Sequence, residues 1–287
     1  MKLFVTGANG YIGRNFIKKA SLKGLKIFAL TRKKKNKKIK NVKWLVGSLE
    51  SNWKELKQTD VLIHLAAVGG YSRFSSFEEC YNFNVLKSRH LLDNSINNGC
   101  NKMLIISSKK EKKIKSLKIN KKLIKSYEKK PDYIYALTKA MFSKICLNYS
   151  KENKNLKLRI IRLYHVYGRD EKKTRLWPAL IHAAKNNKDF KMTPGNQKTD
   201  FNYIDDVINS LIEATNFSKK NKKFPQVWDM CSGKTMSVKK FAQIIWNKIN
   251  PKSKITFSKT KNYDNKNYNT SKKNFWKINY TRPELTF

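Results

Sequence analysis

No apolar run in this sequence approaches the roughly 20 residues that a membrane-spanning helix needs. The opening "MKLFVTG" is too short before its first glycine to be the core of a secretion signal. Cysteine is scarce: Cys80, Cys100, Cys146 and Cys231 share no metal-type spacing and no pairing pattern, so reduced thiols in a cytoplasmic protein without a metal site are expected. Acid is scarce as well, with 20 Asp and Glu against 63 Lys and Arg and a formal charge of +43. Such an excess ordinarily points to nucleic acid, because a basic surface gains affinity by releasing counterions from phosphates. Arginine, however, is rare too. Lysines outnumber the nine arginines six to one, thirty asparagines accompany them, and the excess runs through nearly every loop and exposed helix face. A phosphate footprint favours Arg at bidentate contacts, so the pattern reads as a surface filled by AT-rich codon usage, and nucleic acid is not an expected partner.

What is present, up to about residue 165, is an alternation of short apolar runs with longer amphipathic stretches. "KLFVTG", "LKIFALT", "VKWLVG", "DVLIHLAA", "KMLIISS" and "LRIIRLYHVYG" read as strands, mostly too continuously apolar to keep a solvent face, as buried parallel strands are. Between them lie helical patterns such as "YNFNVLKSRHLLDNSINNG", stopped by Gly99. The predicted fold is α/β: a Rossmann-type doubly wound parallel sheet over residues 1–167, to which the chain returns around 200–217. A smaller mixed α/β substrate domain is expected over 168–287, with helices in "LWPALIHAAKNN", "DVINSLIEAT" and "SVKKFAQIIWNKI". The Lys-rich segments at 32–40 and 109–130 read as surface, the tail at 259–274 as poorly ordered, and no internal repeat is evident.

Gly7, Gly10 and Gly13 in "TGANGYIGRN" follow a buried strand and open a helix. There the backbone can turn tightly, let a pyrophosphate approach, and offer the unpaired N–H groups of the helix start to it, so a dinucleotide site is expected. The spacing G-x-x-G-x-x-G, followed in order by "DVLIHLAA", "NVLKSRHLL", "IISS", "YALTK", "RLYHVYG" and "DFNYIDDV", resembles the extended short-chain dehydrogenase/reductases, the nucleotide-sugar epimerase/dehydratase family. The resemblance covers at least residues 1–245. It implies that Gly7, Gly10, Tyr11, Ile12, Gly13, Thr31, Arg32, Leu65, Ala66, Ala67, Asn84, Tyr135 and Lys139 surround the cofactor.

In "YALTK" the i and i+4 positions of a helix share a face, so the Lys139 ammonium can lie beside Tyr135. A free tyrosine has a pKa of about 10, and an adjacent cation favours its phenolate, which makes Tyr135 the acid/base and Lys139 its tuner. "YNTSK" at 268–272 has the same spacing, but no strand-end serine precedes it, and it reads as coincidence. Ser108 ends a predicted strand 27 residues before Tyr135. By resemblance it hydrogen-bonds the reacting sugar oxygen, with Ser107 as a substitute, and Asn84 is the family asparagine near the active site.

The chain also departs from the family. After the serine pair it reads "SSKKEKK", without the acidic dyad of the dehydratases, which argues against water elimination. His165 stands where many relatives carry Asn, and Thr199 where many carry an Arg that grips the diphosphate; Arg162, Arg169, Arg175 or a lysine could compensate. Residues assigned to the substrate are Ser108, His165, Arg169 and Arg175. The second strand ends in Thr31, Arg32 and Lys33 in place of the carboxylate that receives the adenosine ribose in NAD sites, so NADP is favoured over NAD.

The expected function is an oxidoreductase that passes hydride between nicotinamide and C4 of a nucleoside diphosphate sugar, favoured as an NADP-dependent 4-ketoreductase. An NAD-dependent 4-epimerase is the alternative, and a silent dinucleotide-binding protein that uses its basic surface on nucleic acid is the remote one. The expected partners are the sugar nucleotide and, optionally, a second copy of the chain in a homodimer.

Overall fold

A computed structural model describes residues 1–33, 38–70, 76–117, 120, 124–126, 131–218, 223–259 and 274–286. The chain divides into two compact units, Met1–Arg162 with Leu211–Trp228, and Leu163–Ser210 with Asp229–Phe287. The "YNTSK" string, most of the 259–274 tail and parts of the Lys-rich segments at 32–40 and 109–130 lie outside the described residues.

Six strands arise where the apolar runs predict them: β1 (Lys2–Thr6), β2 (Lys26–Thr31), β3 (Val42–Val46), β4 (Val61–His64), β5 (Lys102–Ser108) and β6 (Lys157–Leu163). After them come β7 (His165–Tyr167), β8 (Phe190–Met192), β9 (Lys198–Tyr203) and β10 (Gln226–Cys231). The main sheet has eight strands in the order β3-β2-β1-β4-β5-β6-β10-β13, the last being Phe275–Lys277. β1 pairs in parallel with both β2 and β4, so the strand order reverses between β1 and β4, where this fold binds ligands at the carboxyl ends of its strands. Leu3, Phe4, Val5, Leu62 and Ile63 on these two strands are buried, which is why their runs carry no polar alternation.

Helix α1 (Tyr11–Leu22) packs through Gly13, Phe16, Ile17 and Ala20, one face at helical spacing. The long predicted helix before Gly99 is built in three parts: α2 (Phe77–Tyr81), a π-helical turn (Asn82–Lys87) and α3 (Ser88–Asn97). Helix α4 (Pro131–Glu152) carries "YALTK". Helices α5 (Leu176–Lys185), α6 (Ile204–Ala214) and α7 (Val238–Ile249) follow.

The boundaries differ from the expected ones. "LRIIRLYHVYG" is two strands, broken at Tyr164, because β7 leaves β6 to pair with β9. The first unit therefore ends at Arg162, five residues short of the expected 167. The chain rejoins the first unit at Leu211–Trp228, which takes in 211–217 of the expected stretch and leaves out 200–210, since β9 is held by β7 and β11 (Thr235–Ser237). The returning strand is β10, whose last three residues pair with β13 (Phe275–Lys277) in the second unit.

In that second unit β12 (Ile255–Phe257) pairs with β8, and the core gathers Tyr167, Phe201, Phe241 and Trp246. Phe201 and Phe241 stack with centroids 3.9 Å apart. The carboxylate of "DFNY", Asp200, is fully buried and accepts from Ser232 N and Oγ and from Gly233 N. Three donors offset the desolvation of that charge, so this motif fixes a loop.

Candidate active site

At the end of β1 the chain turns at Gly7, with φ of +67°. A Cβ there would come 2.7 Å from Ala66 N at the end of β4, and one at Gly13 would come 2.2 Å from Gly7 O, so no side chain fits at either. Gly10 N donates to Gly7 O (2.8 Å) and caps α1 with no side-chain bond, and no acidic residue stands in the first turn. The uncapped N–H groups of a twelve-residue helix, beside the β1/β4 reversal, fit the pyrophosphate of a dinucleotide. Tyr11 and Ile12 open this helix, the former buried and the latter half-buried. Leu65, Ala66 and Ala67 follow β4, and Ala66 N donates to Thr6 Oγ1 (3.3 Å).

Thr31, at the end of β2, is buried, and its hydroxyl is already engaged. It receives the Asn9 amide and the Lys33 N–H and donates to Lys33 O (3.0 Å). Arg32 and Lys33 are exposed. Arg14 Nη1 donates to Asn9 O (2.9 Å), so Asn9 joins the glycine turn to the end of β2. The sequence reading did not single out Asn9; its signal was an amide between two turn glycines.

Tyr135 and Lys139 lie one turn apart on α4, as their spacing requires. Lys139 is 3% exposed, and its ammonium donates to Ile106 O (2.7 Å) on β5. Burial brings its pKa down to about 8, partly opposed by the Glu111 carboxylate. Gly69 and Gly70 run alongside the Tyr135 ring: a Cβ on Gly70 would lie 3.5 Å from Cζ. Lys110 pairs with Asp132 (2.6 Å) and lies 6.0 Å from the centroid of the same ring.

Asn84 sits in the π-helical turn, 2% exposed, and spans two elements. Its Oδ1 accepts from Val68 N (2.9 Å), and its Nδ2 donates to Val68 O (3.0 Å) and Thr138 Oγ1 (3.0 Å). These bonds tie the loop after β4 to the helix of Tyr135, and π-turns often mark such sites.

The two serines at the end of β5 separate by partner. Ser107 is 3% exposed and donates to Glu111 Oε2 (2.5 Å). Ser108 Oγ accepts from Lys110 N (3.2 Å), which uses a lone pair and leaves the hydroxyl proton a donor. Glu111, the one acid of "SSKKEKK", also accepts from Ser143 Oγ (2.8 Å) and lies 3.7 Å from Arg162 Nε. Arg162, a candidate for the substrate's anion, is thus already paired. Neither Glu111 nor Ser143 was singled out in the sequence: the carboxylate hides among lysines.

His165, Arg169 and Arg175 belong to the second unit. His165 packs on Phe201 at 4.8 Å between ring centroids, in register on β7 and β9. Arg169 forms two bonds to Asp205 (both 2.8 Å), and Arg175 pairs with Glu171 (3.3 Å), a carboxyl that burial pushes up to about 7. Thr199 is buried in β9 opposite Met236. Among the described residues no group of three or more His, Cys, Asp or Glu is placed to hold a metal, and no helix is long and apolar enough to cross a membrane.

Known proteins extend these observations. The fold is that of the UDP-N-acetylglucosamine 4-epimerase from Bacillus cereus (TM-score 0.75, 22% identity, 100% of this chain and 93% of that one). MoeE5, solved with UDP-glucuronic acid and NAD, superposes with a TM-score of 0.73 at 20% identity over 90% of this chain and 85% of its own. In sequence, the chain is 26% identical to the CDP-abequose synthase of Salmonella muenchen over 261 residues, 89% of this chain and 83% of the relative. The CDP-abequose synthase of Salmonella typhimurium is 27% identical over 263 residues, with the same coverage. Residues 3–227, from the first strand of the glycine turn to the start of β10, match the NAD dependent epimerase/dehydratase family, and to that family this chain belongs.

Proposed function

We propose that the protein is an oxidoreductase acting on a nucleoside diphosphate sugar, and that it reduces a 4-keto group with NADPH. The observation that carries this reading is the arrangement around Lys139: its ammonium reaches the β5 carbonyl of Ile106 on the same helix face as Tyr135, beside the strand end that presents Ser108. A bound nicotinamide dinucleotide would supply the hydride. The Tyr135 hydroxyl donates the proton that the keto oxygen needs as it becomes an alcohol, and the Ser108 hydroxyl donates to the same oxygen. Lys139 holds the cofactor ribose and, as a cation, favours the phenolate that remains. The turn at Gly7 to Gly13 and the start of α1 hold the pyrophosphate.

Preference for NADP is supported by the end of β2. Thr31 is neutral and engaged with Asn9 and Lys33, so it offers no carboxylate to ribose hydroxyls, while the exposed Arg32 suits a 2′-phosphate. Against dehydration stands Glu111, whose carboxylate is held by Ser107 and Ser143. The relatives named as CDP-abequose synthases support a sugar nucleotide as substrate and make CDP-linked sugars the first to test.

The test is incubation with 4-keto and parent nucleotide sugars, CDP-linked ones first, with NADPH or NADH, following nicotinamide absorbance and sugar products. Stoichiometric consumption of NADPH with a 4-keto sugar is expected. Interconversion of two parent sugars with no net change in cofactor would establish an epimerase instead.

A further inference from the structure

Glu111 stands in the run K-K-E-K-K, in a 3-10 turn (Lys109–Lys113) where solvent-facing charge is the expectation, yet its side chain is only 9% exposed. Burying a carboxylate costs several kcal/mol unless it is hydrogen-bonded and paired. Here Ser107 Oγ (2.5 Å), Ser143 Oγ (2.8 Å) and Arg162 (3.7 Å) meet it. Ser143 is four residues after Lys139 and so shares its face of α4, and Ser107 adjoins Ile106, whose carbonyl receives the Lys139 ammonium. The carboxylate is therefore bonded to both elements that hold that ammonium.

A mere tie between β5 and α4 does not require a charge, because Ser143 Oγ already lies 3.4 Å from Ser107 Oγ. What the carboxylate adds is negative potential in a buried place that must keep a cation. We propose that Glu111 is a positioning residue for the Tyr135–Lys139 pair: held by Ser107 and Ser143, it is the fixed anion that keeps the Lys139 ammonium charged at working pH. The inference rests on the reading of Lys139 as the residue that holds the cofactor ribose.

On the Tyr135 side of the pair, Lys110 lies 6.0 Å from the ring centroid and is neutralised by Asp132 at 2.6 Å. Burial pulls Lys139 down to about 8, while Glu111 and then Cys146 on α4 pull it upward. Burial is the strongest influence on Glu111 and leaves its carboxyl raised overall, while its two serines, Arg162 on β6 and Lys139 pull it back toward the ionised form. His64, at the end of β4, is held neutral by burial and by Lys139, and so adds no charge.

Glu111→Gln keeps the shape and hydrogen-bonding capacity and removes the charge, so Lys139 should lose its proton at lower pH. Dinucleotide binding, read by fluorescence titration, should be about fivefold weaker than wild type at pH 8 and nearly unchanged at pH 6, as expected if the ammonium titrates near 7 in place of about 8. The alkaline limb of kcat/KM should move the same way. Ser143→Ala removes one hydrogen bond and keeps the charge, so its limb should stay in place. An unmoved limb in Glu111→Gln, or an equal shift in Ser143→Ala, overturns the proposal. Should Glu111→Gln fail to fold, Glu111→Ala supplies the second test: it removes the charge with the side chain and leaves Ser107 and Ser143, 3.4 Å apart, to bond each other; the limb should again move to lower pH, and no movement overturns the proposal as well. A wild-type protein that binds neither NADP nor NAD at any pH removes the functional reading itself, and this inference with it.

Discussion

The Asn9 side-chain amide donates to the Thr31 hydroxyl, so the glycine turn is fastened to the end of β2 through the very group that stands where a ribose-binding carboxylate would be. The bond fixes the strand end that presents Arg32. Arg32→Asp should weaken NADP by about ten- to hundredfold more than NAD, the worth of a charge-assisted hydrogen bond of roughly 1.5–3 kcal/mol. Titration of both cofactors checks this; equal losses, or tighter NAD binding by the wild type, would remove the preference.

Tyr135→Phe keeps the ring against Gly70 and removes the proton donor. Turnover should fall by about 10² to 10⁴ while cofactor binding survives. Lys139→Met should damage both, and Ser108→Ala mainly turnover. Rates and cofactor affinities measured side by side distinguish the three; a Tyr135→Phe enzyme at near wild-type rate would mean the proton comes from elsewhere.

Asn84→Ala removes three hydrogen bonds that join Val68 to Thr138. Leaving buried partners unsatisfied costs about 1–3 kcal/mol, so the urea midpoint should drop with an unchanged slope. Asn84→Asp can accept from Val68 N but cannot donate to Val68 O or Thr138, and should rescue little.

His64 is 1% exposed, between Thr6 Oγ1 (2.9 Å) and Ser88 Oγ (3.1 Å), and burial, then the Lys139 charge, lowers its pKa to about 3. In the unfolded chain it titrates near 6.5. Below that pH the unfolded state takes a proton that the native state refuses, so this contribution is full above about pH 6.5 and is lost as pH falls toward 3, by up to about 1.4 kcal/mol per unit. Urea denaturation at pH 7, 5 and 4 should give a shallower decline for His64→Asn than for wild type; parallel declines would place the acid sensitivity on other groups.

The glycine turn and the strands are legible because each is dictated locally: no side chain fits beside Gly7 and Gly13, and strands buried on both faces, such as β1 and β4, leave an unbroken apolar run, while the edge strand β3 keeps Lys43 and Val46 exposed. What decides the break at Tyr164 is the pairing of β7 with β9, some thirty-five residues away. The strand "QVWDMC" is hidden for a similar reason: Gln226 and Asp229 read as solvent-facing side chains, yet both are buried, Gln226 against Arg159. Glu111 reads as one more charge in a lysine run, and only Ser143, 32 residues on, turns it inward. Among the candidate residues, Tyr135 and Lys139 were legible from the helical period, while the ion pairs of Arg162, Arg169 and Arg175 depend on where the chain brings Glu111, Asp205 and Glu171.

Arg159, on β6, is fully buried, and its guanidinium donates to Gln226 Oε1 (2.8 Å), Ala214 O (2.5 Å) and Asn216 O (3.3 Å), all on the segment that comes back after an excursion through the other unit. A gene fragment cut at codon 162 would encode most of the dinucleotide-binding motifs and still yield no soluble domain. It would strand a guanidinium in apolar surroundings beside the open flank of β6, an invitation to edge-to-edge aggregation. On the ribosome the same logic imposes a wait: the flank of β6 stays open until the strand ending at Cys231 has emerged.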